Sequence, residues 1–376
     1  MTTVEAFQAA VVRTDRRKKD KTRIAVMGVF GELGSLMAEF KKRSRDGTSY
    51  RSFHEHLVEE AGDLLWYLTI LAVDLGVQWT DILSEVYGKP VGAQTRLSEL
   101  DKLPLPAHGV EANLWLRAAG KAGLLAETAE RSGSSLRPML VETTSAALVA
   151  MRDAKISLSR AATSNIAKSE SRFPQTEVHL PLYDDRPHPD GRIRPDERLP
   201  KYMVFHFEEI QIGKKTLVVQ KVHTIKIGDP LTDNIAEPDH YRFHDVFHLA
   251  YAAILGWSPV LRALLKAKRK SVGTLDENED GARAILLEEG ISTYIFNWAK
   301  PDYFKGVKKI DYTLLKTIKH FVRGYEVEDQ PFWAWEKAIL RGYSVFRELV
   351  EHRRGLVTID LTKRDLFYEL IPPSPS

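Results

Sequence analysis

Between Pro174 and Pro200 the chain carries six prolines, at 174, 181, 187, 189, 195 and 200, interspersed with charges. Proline fixes φ and lacks a backbone donor, so neither a helix interior nor an inner strand runs through such a stretch. It reads as an extended linker over 176–201. The chain must therefore build a core on each side of it. A length of 376 residues suits two such cores better than one.

The first side is helical throughout. Ile24, Met27, Val29, Phe30, Leu33, Leu36, Met37 and Phe40 recur at helical spacing, as do Leu57, Ala61, Leu64, Leu65, Leu68 and Leu71. Gly and Pro over Gly88–Pro106 interrupt the run, and helices are expected at Glu111–Glu130, Leu136–Asp153 and Ser157–Ser171, with a turn at Gly133–Ser134–Ser135. Beyond the linker, Tyr202–Ile212 and Thr216–Ile227 read as a hairpin joined by Gly213–Lys214–Lys215. Helices then follow near His240–Leu255, Val260–Lys270, Asp280–Ala299, Leu314–Gly324 and Trp333–Arg353. The expected fold is mainly α, an all-α bundle over 1–175 followed by a helix-rich α+β domain with a β-hairpin over 202–376.

Composition narrows the chemistry. The chain has no cysteine, which excludes disulfides and thiolate metal sites, so any metal must sit on carboxylates and imidazoles. No apolar run approaches the roughly 20 residues of a membrane span, and no apolar signal segment opens the chain, so a cytoplasmic protein with no membrane partner is expected. The net charge of +3 says little about partners. The cluster Arg13, Arg16, Arg17, Lys18, Lys19, Lys21 and Arg23 reads as a solvated loop or as steering for a polyanion. Nothing resembling a nucleic-acid module accompanies it, so nucleic acid is not an expected partner.

Three helical segments set polar groups into apolar patterns. Glu32 and Glu39 lie seven apart, on one face and about 10 Å distant. Glu60 and Asp63 share a face of the next helix. Asn165, Lys168 and Arg172 line a third. Carboxylates facing each other from two helices suit Mg²⁺, a hard cation that bridges carboxylates to phosphates, and Mn²⁺ takes similar ligands. Lys168 and Arg172 suit phosphate oxygens, and Asn165 a base or sugar. Each acid taken singly also reads as an ordinary surface charge.

These segments together resemble the MazG family of all-α nucleoside triphosphate pyrophosphohydrolases, whose Glu-x-x-Glu and Glu-x-x-Asp pairs are followed by an Asn-x-x-Lys-x-x-x-Arg helix. Glu32, Glu60, Asp63, Asn165, Lys168 and Arg172 match in order, and Phe7-Gln8 with Thr14 resembles the opening helix. The resemblance covers about 1–175. It implies hydrolysis of an NTP or dNTP to the monophosphate and pyrophosphate, by carboxylates that hold the metal and activate water. Glu32, Glu60 and Asp63, with Glu39 as a weaker candidate, are the implied metal ligands and bases. Trp66, within the Glu60–Asp63 motif, joins Asn165, Lys168 and Arg172 as an implied substrate contact. A homodimer or homotetramer is also implied. Two departures stand out: Ser35 replaces the second Glu of the first pair, and about 65 residues (roughly 88–153) are inserted before the last helix. A nucleotide sensor with little or no turnover, regulating the second domain or a partner, is the alternative that Ser35 keeps open.

The second half holds Asp239-His240-Tyr-Arg242-Phe-His244-Asp245-Val-Phe-His248. His244 and His248 lie one turn apart, as two imidazoles on one Zn²⁺ or other divalent metal must, and Glu289 stands on a later helix. His244-Asp245-x-x-His248 is similar to the gluzincin metalloprotease site, with Asp245 where that family has Glu. The His244-Asp245 dipeptide also resembles HD phosphohydrolases, which would further need His223 or His240 and Asp280. A pair of ordinary core histidines is the plain alternative. Asp229, Asp233 and Asn234 read as a turn before a cation site, and Lys266, Lys268, Arg269 and Lys270 as a solvated helix end. Phe332, Trp333, Trp335, Tyr343 and Phe346 read as helix core. The whole chain resembles MazG proteins that carry a C-terminal extension.

Overall fold

The computed structural model describes residues 2–105, 113–130 and 135–372. It falls into two compact units, Met1–Gln175 and Thr176–Ser376. Among the described residues the fold is mainly helical, with one five-stranded antiparallel sheet in the second unit. No helix among them is long and apolar enough to cross a membrane.

The first unit is a bundle of α1 (Val4–Thr14), α2 (Lys21–Asp46), α3 (Phe53–Asp74), α4 (Trp79–Tyr87), the short α5 (Leu97–Leu100), α6 (Leu114–Ala129), α7 (Arg137–Asp153) and α8 (Leu158–Arg172). Thr3 and Ser157 cap α1 and α8 by accepting the Ala6 and Arg160 amides. Asp101 adds to the α8 start, taking the Leu158 amide at 2.6 Å and the Ser159 amide at 3.2 Å. The central helix α3 buries Leu57, Leu64, Leu65, Leu68 and Leu71 against its neighbours. Helix α2 buries Ala25, Val26, Val29, Leu33 and Leu36. Ile24, Met27 and Phe30, counted in the same periodic set, instead lie exposed on its other side.

The insertion is part of the bundle. Its helices α6 and α7 pack on α2, α3 and α4, and Trp115, Ala118, Leu125, Leu140 and Leu148 join the common core. The expected turn at Gly133–Ser134 and the first residues of the expected Glu111 helix lie outside the described residues. Two glycines let the helices that carry the polar groups approach closely. A Cβ on Gly28 in α2 would sit 2.3 Å from the Tyr67 ring of α3, and one on Gly62 in α3 would meet the Ala161 carbonyl oxygen of α8 at 2.6 Å.

The second unit begins before its first strand. The Pro-rich stretch is not a free spacer: Tyr183 and Leu199 enter the core, and Asp184 pairs with Arg262. Proline-rich composition is common to free spacers and to extended segments laid along a surface. Here the buried anchors decide. The sheet order is β3-β2-β1-β4-β5, from β1 (Tyr202–Ile212), β2 (Lys215–Val222), β3 (Ile225–Leu231), β4 (Arg354–Asp360) and β5 (Asp365–Glu369). The expected hairpin is thus β1–β2, its second arm breaking at His223 into β3, while β4 and β5 complete the sheet from the far end of the chain.

Against the sheet pack α9 (Asp245–Ala250) and α14 (Phe332–His352), with α10 (Pro259–Leu264), α11 (Gly273–Asn278), α12 (Ala282–Ala299) and α13 (Tyr312–Phe321) around them. Phe332, Trp333, Trp335, Tyr343 and Phe346 are core, as their spacing implies, and Phe247 stacks on Tyr343 at 4.4 Å. Arg269, expected on a solvated helix end, is fully buried. It donates to Asp280 at 2.7 Å and to Glu326 at 2.7 Å. The helix ends at Leu264, and the turn behind it carries Arg269 inward.

Because Gly62 has no room for a methyl group, Gly62→Ala should lower the stability of the first unit by about 1–3 kcal/mol. Urea denaturation followed by circular dichroism measures this, with Gly34→Ala, which meets nothing within 4 Å, as the control.

Candidate functional site

The close approach of α2, α3 and α8 sets three carboxylates together. Glu32, Glu60 and Asp63 each place an oxygen within 4.8 Å of the other two, all half-buried. From α8, Lys168 bonds both oxygens of Asp63, and the Asn165 amide donates to Asp63 Oδ1 at 2.7 Å. Lys168 also lies 3.8 Å from Glu59. Asn165 is buried, and its side-chain oxygen has no hydrogen-bond partner among the described residues.

Crowding of like charges in a desolvated place shows in the acidities. Burial, reinforced by the Asp63 charge and by Glu60, pushes the Glu32 carboxyl up to about 8. Burial also raises Glu60 and Asp63, in the latter case against the pull of Lys168. The nearby Tyr67 hydroxyl is raised too, by burial and then by the charges of Glu32 and Asp63. At neutral pH Glu32 therefore keeps its proton.

The other sequence-derived candidates are placed differently. Glu39 is buried apart from the trio, where it accepts from Lys42 at 2.6 Å and from the Tyr50 hydroxyl, with His56 at 3.5 Å. Two turns of helix carry it past the junction with α3, so it is not a member of the carboxylate group. The indole of Trp66 donates to the Thr14 hydroxyl at 3.0 Å and carries the Arg17 guanidinium over its ring, which ties α1 to α3. Arg172, one turn beyond Lys168, lies over the Phe173 ring.

The basic loop is only partly the solvated segment its composition suggests. Arg17 is nearly buried, bonded to Asp15 at 2.9 Å and Asp74 at 2.8 Å. Tyr67 and Glu59 were missed as neighbours of the trio. The legible signal for Tyr67 was Gly28, a helical glycine one turn before Glu32 whose bare face receives the ring.

In the second unit His244, His248 and Glu289 also bring ligand atoms within 4.8 Å of one another. His244 caps α9 and bonds the Tyr241 carbonyl through Nδ1 at 2.9 Å. His248 Nδ1 bonds Glu288 at 2.8 Å, and Glu288 also accepts the Ser258 hydroxyl and the Val260 amide. Burial disfavours charge on both rings. For His248 the Glu288 carboxylate outweighs burial and raises the imidazole well above its ordinary range, whereas His244 stays lowered. Asp245 is held by Gln220 and lies 3.3 Å from His244 Nε2.

The arrangement that an HD phosphohydrolase would need is absent among the described residues. Asp280 is fully buried and bonded to Arg269, His223 is an exposed turn residue, and His240 faces Arg242 and Arg353. Asp233, raised as a cation ligand, takes the Arg242 amide at 3.0 Å and its guanidinium instead.

A raised carboxyl in the fold favours the fold at low pH, and that advantage is lost as pH rises through its folded value. In the absence of divalent cation the first unit should therefore lose stability between about pH 4.5 and 8, the ordinary and the folded values of the Glu32 carboxyl. Glu32→Gln should flatten that slope. Thermal unfolding across this pH range, with chelator present, is the check.

Comparison with known proteins adds one finding. The family model of the MazG C-terminal domain matches residues 184–371, half of the chain, beginning within the Pro-rich stretch that packs on the second unit. No curated protein and no solved structure matches the chain. The match spans the whole sheet and the helices that carry His244, His248 and Glu289, and the chain accordingly belongs to the MazG C-terminal domain family.

Proposed function

We propose that the first unit hydrolyses nucleoside triphosphates, NTP or dNTP, to the monophosphate and pyrophosphate with Mg²⁺. The observation that carries this reading is the trio Glu32, Glu60 and Asp63, held within 4.8 Å by two glycine-tight helix contacts and flanked by Lys168 and Asn165. The order of these residues resembles the MazG pyrophosphohydrolases, and a MazG C-terminal domain follows on the same chain.

The all-oxygen donor set suits Mg²⁺, with Mn²⁺ as the substitute. Glu32, Glu60 and Asp63 would hold it. When bound, the ion supplies charge neutralisation for the phosphates and acidifies a water. The chain's own groups do the rest. Glu32 and Glu60 are both candidates for the carboxylate that would take a proton from the attacking water. Lys168 leaves Asp63 for a phosphate oxygen, with Arg172 one turn away as a second cation. Asn165, whose oxygen is unpartnered, offers an acceptor to the base or sugar.

A second reading is favoured by Ser35: a site short of one anionic ligand would bind nucleotide and turn it over slowly or not at all, acting as a sensor. An assembly of identical subunits is part of the proposal. Met27 and Phe30 leave apolar surface exposed on α2 beside Ala126 and Ala129 of α6, the kind of surface a partner covers.

Purified protein incubated with Mg²⁺ and each NTP and dNTP should yield monophosphate and pyrophosphate by chromatography. Glu60→Gln should lower the rate by about 10²–10⁴-fold. Diphosphate plus phosphate would mean that the wrong bond was assigned, and nucleotide bound without turnover would favour the sensor. Ser35→Glu should lower the Mg²⁺ concentration required at half-maximal rate by about tenfold, which needs only about 1.4 kcal/mol.

A further inference from the structure

We infer that His244, His248 and Glu289 form a binding site for a divalent transition metal of the zinc or iron(II) kind, open on its remaining sides to a ligand. The inference concerns the second unit and does not rest on the pyrophosphohydrolase reading.

Three observations carry it. The first is the donor set: two imidazole nitrogens and one carboxylate oxygen within 4.8 Å of one another, drawn from α9 and its cap on one side and α12 on the other. Two imidazoles with a carboxylate suit zinc and iron(II), whereas an all-oxygen set suits Mg²⁺. Three protein ligands leave coordination positions free, which distinguishes reactive centres from closed structural ones.

The second is the shell behind the ligands. Metal-binding histidines commonly engage their far nitrogen with a carboxylate or a backbone carbonyl, which sets the tautomer and the ring orientation. Both partners are present. His248 Nδ1 meets Glu288 at 2.8 Å, and His244 Nδ1 meets the Tyr241 carbonyl at 2.9 Å. Glu288 is itself fully buried and fixed by Ser258 at 2.7 Å and by the Val260 amide at 2.8 Å. The Tyr241 ring stacks flat on His244 at 4.2 Å, which removes the remaining freedom of that imidazole. Both Nε2 atoms are thereby turned toward Glu289.

The third is an unpartnered group. His248 is fully buried, yet its Nε2 has no hydrogen-bond partner among the described residues. Its nearest acceptor, Glu289 Oε1, lies at 3.5 Å, and Glu289 Oε2 lies 3.7 Å from His244 Nε2. These separations exceed those of well-formed hydrogen bonds, and a buried polar atom left in this way costs free energy that a bound ion would return. Glu289 is more than a third exposed, so an ion has a way in past it. Helix α9 continues into a π-helical turn at Tyr251–Leu255, a distortion that recurs at functional sites.

The test uses the full chain, freed of any histidine tag and stripped with chelator. Co²⁺ serves as the spectroscopic probe in the presence of millimolar Mg²⁺, which occupies oxygen-only sites. The expected result is uptake of one Co²⁺ per chain with visible ligand-field bands, lost in Glu289→Gln and kept in Glu60→Gln. Glu288→Gln should weaken uptake by about 10- to 100-fold with the fold retained by circular dichroism. Competition by Zn²⁺ and, without oxygen, by Fe²⁺ then identifies which of the two the site prefers, and tight binding of either upholds it. No stoichiometric uptake of Co²⁺, Zn²⁺ or Fe²⁺ would overturn the assignment. So would uptake that survives in Glu289→Gln, or that disappears equally in Glu60→Gln.

Discussion

Three carboxylates crowded into a half-buried spot repel one another, and the first unit is organised around tolerating that repulsion. Glu32, Glu60 and Asp63 stand on helices that could have kept them apart by an ordinary interhelix spacing. Gly28 and Gly62 remove that spacing, so α2, α3 and α8 close on the polar groups. What offsets the charge is local: a proton retained by Glu32, whose carboxyl rises to about 8, and the Lys168 ammonium on Asp63. Both are exchangeable. On the proposed reading, the groups that stabilise the ligand-free bundle are the ones a divalent cation would release. The bulk of α3 is apolar and invests its packing in holding this one polar junction.

The second unit meets a related difficulty by a different route. Glu288 lies at the centre of the fold with no exposure, and it accepts from a histidine, a hydroxyl and a backbone amide. A buried carboxylate is tolerated when its lone pairs are filled, and here the filling partners come from two separate segments, α9 and the start of α10. The Arg269–Asp280–Glu326 group does the same on the far side of α12. These fully satisfied networks make the orientation of His248 a property of the fold. Glu289 differs from its neighbour Glu288 in being partly exposed and in meeting, among the described residues, only the two imidazoles, at 3.5 and 3.7 Å, a contrast that separates a group that positions from one that can receive a ligand.

Much of the first unit was legible because the helical period survives in the sequence wherever one face is buried. Leu57 to Leu71 and Leu33 to Leu36 mark the core correctly. That Glu32, Glu60 and Asp63 come together was legible too, from their shared helix faces and their place in the motif order rather than from any one acid. What periodicity cannot tell is which of two apolar stripes on a long helix faces inward: Ile24, Met27 and Phe30 share the helical spacing but lie outside. Spacing alone also could not separate Glu39 from the trio: seven residues keep a face but move about 10 Å along it. The Pro-rich stretch failed for a compositional reason, because Tyr183, Asp184 and Leu199 look the same in a spacer as in a strap laid over a core. Strands β4 and β5 carry few residues after a long helix, and only the pairing of β4 with β1, more than a hundred residues earlier, and of β5 with β4 makes them strands.

On the readings proposed, one chain without cysteine handles two kinds of ion by ligand hardness. Oxygen donors alone in the first unit favour a cation that stays hydrated and bridges to phosphate. Imidazoles in the second favour a transition metal held directly by the protein. The two sites also differ in how they are kept ready. The first is held in an electrostatically unfavourable state that ligand relieves, so its affinity is coupled to proton release and to pH. The second is held by hydrogen bonds made on the side of each imidazole away from the ligand, and its geometry exists before any ion arrives. A site of the first kind responds to the concentration of substrate and cation around it, whereas one of the second kind is arranged to hold its ion directly. That difference in physical design is what a division of labour between the two units would require.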